Sequence, residues 1–191
     1  MNYDAINAKL RALKANPVED IKNVVLRISM HIHSRPHRNF CLAMALGSQD
    51  GINYYTRQWK RLGQLDKASR SAIKPILGAE IDLNNILWLY RLKRYHRVYG
   101  AASYGHLIPV RYRLTEAMTQ RMADCKSPGD LLAEVGRSPY ARDIVFHVSK
   151  GQPTPEEQLV LAINKRYQAA ARKYANTIVP VLAYIYLEVH K

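Results

Sequence analysis

The sequence predicts an all-α multi-helix bundle, and three observations carry that prediction. Capping side chains stand before prolines at four places: Asn16-Pro17, Ser127-Pro128, Ser138-Pro139 and Thr154-Pro155. A side-chain oxygen just before a helix accepts from an orphan amide, and a proline at the first helical position forfeits no hydrogen bond. Apolar residues recur at steps of three and four, the spacing that lines one helical face. No run sustains the period-two alternation of a half-buried strand.

In chain order, Asn16-Pro17 opens a helix with the stripe Val18, Ile21, Val25, Ile28 and Ile32, and Ser34 and Pro36 close it. Ile52, Tyr55, Trp59 and Leu62 form a second stripe. From Ala79 to Tyr99 the apolar residues Ile81, Leu83, Ile86, Leu87, Trp88, Leu89, Tyr90 and Leu92 surround the axis. A helix apolar all round is buried among others, so this stretch is predicted to be the central helix. Gly78 precedes it, and Gly100 follows in the place of a C-cap. Ser127-Pro128 and Ser138-Pro139 predict two further starts. Thr154 with Glu157 forms a capping box. It opens a long C-terminal helix striped by Leu159, Ile163, Tyr167, Ala170, Tyr174 and Ile178. Pro180 is expected to kink or interrupt that helix, because proline removes a hydrogen bond and clashes with the preceding turn. At this length the chain is one domain of ordinary size or two small ones.

The 191 residues are 48% hydrophobic and 23% charged, enough to bury a core and too apolar for a disordered chain. Lys and Arg number 29 against 15 Asp and Glu, a formal charge of +14. A surface this basic attracts nucleic acid, anionic lipid headgroups or an acidic protein. The excess concentrates in residues 51–100, with 10 basic and 3 acidic side chains. Cys41 and Cys125 form no CxxC pair, which excludes a disulfide framework and a thiolate zinc site and fits a reducing cytoplasm. The opening MNYDAINAKLRALK has no apolar core of a signal peptide. The longest apolar run, Ile178 to Leu187, contains Pro180 and falls short of the about 20 residues a membrane span needs.

Three groupings carry possible chemistry. His31, His33 and His37 suggest a metal site, but Pro36 breaks the helix that would align the last two and no carboxylate completes the set. A helix end whose dipole favours imidazolium is the preferred reading. Glu80, Asp82 and Glu116 invite acid–base work. Glu80 and Asp82, two apart, point to different helical faces, and the positive end of a helix dipole accounts for them more simply. No GxSxG, no Cys–His arrangement and no glycine-rich phosphate loop is present, so no enzyme, cofactor or metal is expected. The run Tyr90 to Tyr99 interleaves cations with aromatics. That pattern suits phosphate contact with base stacking, and equally a helix C-terminus whose cations offset the dipole. Arg91, Lys93, Arg94 and Arg97, ending the central helix together, are the candidate interface residues.

The central stretch resembles a family. Asn53-Tyr54-Tyr55 through Trp59-Lys60, Leu65-Asp66-Lys67 and Gly78-Ala79-Glu80-Ile81-Asp82-Leu83-Asn84-Asn85-Ile86-Leu87-Trp88-Leu89-Tyr90-Arg91-Leu92-Lys93-Arg94-Tyr95-His96 look like the C-type stalk subunits of bacterial and archaeal V-type ATPases. The eukaryotic relatives are the d-type subunits. The stretch Leu107-Ile108-Pro109-Val110-Arg111-Tyr112-Arg113-Leu114, the block Ser138-Pro139-Tyr140 and the run Pro180 to Leu187 follow the same pattern, as does the opening Tyr3 to Ala12. The likeness is closest over 52–115. It implies a bundle of repeated helical units, here shortened between Ala12 and Ile52 and past Lys191, with N-terminal helices over 1–50 the remnant of the first unit and a helical bundle over 51–191 resembling the later units. It also implies a non-catalytic central-stalk subunit, cytoplasmic and peripheral to the membrane, binding rotor shaft subunits and the membrane rotor ring. Such a subunit serves proton or sodium transport coupled to ATP hydrolysis or synthesis. The basic surface would then meet an acidic shaft end or anionic lipid headgroups. A basic helical nucleic-acid-binding module is the alternative expectation.

Overall fold

The computed structural model describes residues 49–144, 146, 153–177 and 179–189. The stripe from Val18 to Ile32, the histidines at 31, 33 and 37, and Cys41 lie outside the described residues. Among the described residues every regular element is helical, as predicted.

Helix α1 spans Gln49–Arg61 and buries Tyr55. A 3₁₀ turn, Leu62–Gln64, closes its far end. There the Arg70 guanidinium donates to the carbonyls of Gly63 (2.9 Å) and Leu65 (2.7 Å), fixing the corner. Asp66 then caps the long helix α2, Lys67–Arg91, accepting from the amides of Ala68 (2.9 Å) and Ser69 (3.0 Å). At 1.5 Å per residue α2 is about 37 Å long.

The central helix therefore begins at Lys67, not Ala79, and Gly78 lies inside it. Pro75 is also interior but exposed, so the carbonyl it leaves unbonded can meet water. Gly78 has a packing reason. A Cβ built there would sit 2.4 Å from Cγ of Tyr112, so only glycine lets that ring lie against the helix. The C-terminal expectation is also corrected. Leu92–His96 continue as a π turn, and the residue in the left-handed region that ends it is Arg97 (φ 54°), not Gly100. Gly100, at φ 60°, opens the short helix α3, Gly100–Tyr104.

An irregular strap, 105–115, leads to α4, Glu116–Asp124, capped by Thr115, and then to α5, Pro128–Val135, capped by Ser127. Ser138-Pro139 opens no helix. Its residues form a run of turns in which the Ser138 hydroxyl accepts from the Tyr140 amide (3.2 Å) and the Tyr140 ring is delivered into the core. The turns bury Tyr140 and Ile144 in one core cluster and leave Arg142 and Asp143 exposed between them. Helix α6, Pro155–Lys173, has the predicted capping box of Thr154 and Glu157. It ends before Pro180, which falls in the first turn of α7, Val179–Val189. The proline thus starts a helix where its missing N–H has no partner to lose.

α2 and α6 run antiparallel: Arg91 meets Glu156 at one end, and Ala72 and Ile76 meet Ala170 toward the other. Among the described residues α2 contributes to each buried apolar cluster. Leu83, Ile86 and Leu87 pack with Leu131, Tyr140 and Leu159. Ile81 and Trp88 pack with Tyr55 and Ile108. α2 is the core helix the sequence predicts.

Candidate functional site

The signature segment Glu80 to Asn85 lies midway along α2, facing inward among apolar neighbours. Buried polar groups there must be hydrogen-bonded or the fold loses the desolvation cost. Asp82, 0% exposed, accepts from three successive amides of the strap, those of Tyr112 (3.2 Å), Arg113 (2.7 Å) and Leu114 (3.0 Å), and from the Tyr140 hydroxyl (2.8 Å). Asn85 clasps the peptide of Ile108 from both sides: its amide donates to the carbonyl (3.2 Å) and its oxygen accepts from the N–H (2.9 Å). Glu80 accepts from the hydroxyls of Tyr55 (2.8 Å) on α1 and Tyr167 on α6, and Asn84 donates to Tyr55 (2.8 Å). The Tyr167 ring stacks on Tyr186 of α7, with centroids 3.9 Å apart. Burial, and then the charge of Glu80, push the Tyr55 and Tyr167 phenols well above their ordinary range. Burial and Asp82 do the same to Tyr140.

The three candidate carboxylates do not form a site. Glu80 and Asp82 point to different faces, as their spacing predicts, but neither stands at a helix N-terminus, because α2 starts well before them. That electrostatic account is corrected: hydrogen-bond donors, not a dipole, hold them. Glu116 sits in the first turn of α4 and accepts from Tyr104, whose hydroxyl also receives Arg111 (3.0 Å).

Arg91, Lys93, Arg94 and Arg97 share the end of the helix but not a surface. Arg91 pairs with Glu156 (3.1 Å), each side chain 21% exposed. Lys93, 2% exposed, donates to the Ala123 carbonyl (2.7 Å) and lies 5.3 Å from the Tyr99 ring centroid. Burial holds its ammonium below the usual lysine range. Arg94 and Arg97 are exposed, beside exposed Tyr95 and His96. Nearby, Arg121 (2.7 Å) and Arg137 (3.3 Å) share Glu134. Among the described residues, no helix is long and apolar enough to cross a membrane.

Sequence reading missed the inward turn of Lys93 and the ties of Asp82. A signal for the second was present. Four polar residues within a helix apolar all round must find partners, and proline-containing 107–114 is where unpaired amides would be found.

A family model described as ATP synthase (C/AC39) subunit matches residues 52–189, well over half of the chain. No curated protein and no solved structure matches.

Proposed function

The chain belongs to the ATP synthase (C/AC39) subunit family, and on that premise we propose that it is a non-catalytic central-stalk subunit of a V-type ATPase. In this reading it lies peripheral to the membrane and links the rotor shaft to the membrane ring, so that ion translocation is coupled to ATP hydrolysis or synthesis. The family match over 52–189 is the observation that carries the proposal.

The geometry suits a mechanical part. A torque-bearing link needs a stiff element held to its neighbours at several points. α2 is tied along its length by three apolar clusters and by Glu80, Asp82 and Asn85. Asp82 is surrounded by four structural donors, an arrangement that holds a loop and offers no free base.

The contact with an acidic shaft end is assigned to Arg94 and Arg97, the exposed pair of the four cations. Arg97 adds a specific argument. Its left-handed backbone costs a side chain with a Cβ about 1 kcal/mol or more, which glycine would avoid. An arginine at this strained position motivates a role for its guanidinium.

Capture of the tagged full chain with the shaft and ring subunits of the same motor tests the assignment. Co-elution in a salt-sensitive complex is expected, with binding lowered about tenfold at low salt by Arg94→Glu together with Arg97→Glu. Absence of those subunits from the eluate would sink the function. Their retention by the double variant would move the interface elsewhere.

A further inference from the structure

Among the described residues, a second group of exposed cations lies at the opposite end of the central helix from Arg94 and Arg97. The far end of α1, the first turns of α2 and the last turn of α6 meet there, because Ala72 and Ile76 pack on Ala170 and Tyr174. Arg57 and Lys60 stand exposed on α1, Lys67 and Lys74 on α2, and Arg172 and Lys173 on α6. Acids are scarce in these segments. Between Gly51 and Ala79 the sequence has Asp66 alone, and between Gln158 and Leu187 it has none. Asp66 is engaged as the cap of α2. None of the ion pairs among the described residues involves these six cations.

The chemistry of the pole narrows its partner. A protein–protein hot spot needs a large apolar or aromatic anchor, and single-stranded nucleic acid needs exposed rings for stacking. Among the described residues the large apolar side chains that stand exposed, Tyr95 and Leu161, are elsewhere. Trp59 is half-buried, with Lys74 5.9 Å from its ring centroid. What remains is a set of exposed, long-stemmed cations at one end of the bundle, suited to a dense anionic surface they can touch without insertion. We propose that this pole docks on the anionic headgroups of a lipid bilayer. Choosing a bilayer over the backbone of a nucleic-acid duplex rests on the family assignment; the charge cluster does not.

Sedimentation of the purified full chain with vesicles tests this without any other motor component, so its result is independent of whether the chain assembles with a shaft and ring. Phosphatidylcholine vesicles containing phosphatidylglycerol should carry the chain down, and pure phosphatidylcholine should not. Binding should fall steeply between low and physiological salt, where the screening length is about 8 Å. Each cation near an anionic surface is worth about fivefold in binding, so reversing Lys60, Lys67, Lys74 and Lys173 to Glu should reduce it more than about a hundredfold. The corresponding four Lys→Gln changes, milder for folding, should give a smaller loss in the same direction, with helical circular dichroism retained. Arg94→Glu with Arg97→Glu should leave vesicle binding within about twofold. Equal sedimentation with both vesicle types, or undiminished binding by a folded Lys→Gln variant, would overturn the proposal. So would tight binding to a DNA duplex with none to anionic vesicles.

Discussion

At the C-terminal end of α2, cations are distributed among acids and carbonyls: Arg91 to Glu156, Lys93 to Ala123, and Arg121 and Arg137 to a shared Glu134. At its N-terminal end, Lys67 and Lys74 stand exposed, as do Lys60 of α1 and Lys173 of α6, and Asp66 is engaged as the cap of the helix. By sequence count both ends are basic. By partner count they differ, because Glu134 of α5 and Glu156 of α6 pair with arginines at one end, where Arg94 and Arg97 alone of the candidate cations stay exposed. Formal charge along a chain therefore says little about which surface presents a field. What decides it is where the opposite charges are folded to.

The contrast depends on one rigid helix holding the two ends apart, so its most vulnerable point is in the middle. Asp82→Ala would orphan three amides and a hydroxyl, each hydrogen-bonded to a carboxylate. The expected loss is on the order of 4 kcal/mol by urea denaturation. A loss below about 1 kcal/mol would show that the strap is held by something else. Next in size is the difference between two lysines. Lys93→Ala should cost about 2 kcal/mol through lost packing and the lost hydrogen bond to the Ala123 carbonyl, which keeps only the longer one from the Ser103 hydroxyl, whereas Lys74→Ala should stay within about 0.5 kcal/mol. Equal effects would erase the distinction between buried and presented cations.

Arg97→Gly should raise stability by about 1 kcal/mol, since glycine accepts the left-handed backbone, while weakening shaft binding. A variant that is destabilised would remove the strain from the case for Arg97. For the half-buried Arg91–Glu156 pair, a double-alanine cycle should return about 0.5 kcal/mol of coupling, reduced by added salt.

The smallest effect is in acid. The hydrogen bond from Arg121 holds the Glu134 carboxyl below the ordinary glutamate value of 4.5. A lowered folded value gives stability that is fully present above that ordinary value and lost as pH falls through the lowered one. Thermal melts of Glu134→Gln should therefore show a flatter decline below pH 4.5 than the parent chain. Parallel declines would mean the carboxylate is not held by its arginines.

Much of the fold was legible because its signals are local. The capping box at Thr154, the cap at Ser127 and the all-round apolarity of 81–92 each declare a helix within a turn or two. The true start of α2 was hidden because Pro75 and Gly78 break local rules. For Gly78 the reason is the ring of Tyr112, far along the chain. Ser138-Pro139 carried a true capping chemistry, but the turn it stabilises serves Tyr140 and not a helix. The candidate interface was half legible. Composition located cations at the end of α2, yet the π turn directs Lys93 inward and Arg94 outward, which no periodicity of 3.6 foretells. The opposite pole was illegible for a simpler reason: Arg172 and Lys173 reach the α1–α2 corner only after α6 has folded back.

The ties of α2 also set an order of assembly. Asn85 reaches Ile108 across 23 residues, Asp82 reaches Leu114 across 32 and Tyr140 across 58, and Glu80 reaches Tyr167 across 87. Closing a longer loop costs more entropy before its contact rewards it. As the chain leaves the ribosome, α2 emerges before these partners and meets them in sequence, the strap before Tyr140 and Tyr140 before α6. Asp82 can be satisfied while Glu80 still waits for Tyr167.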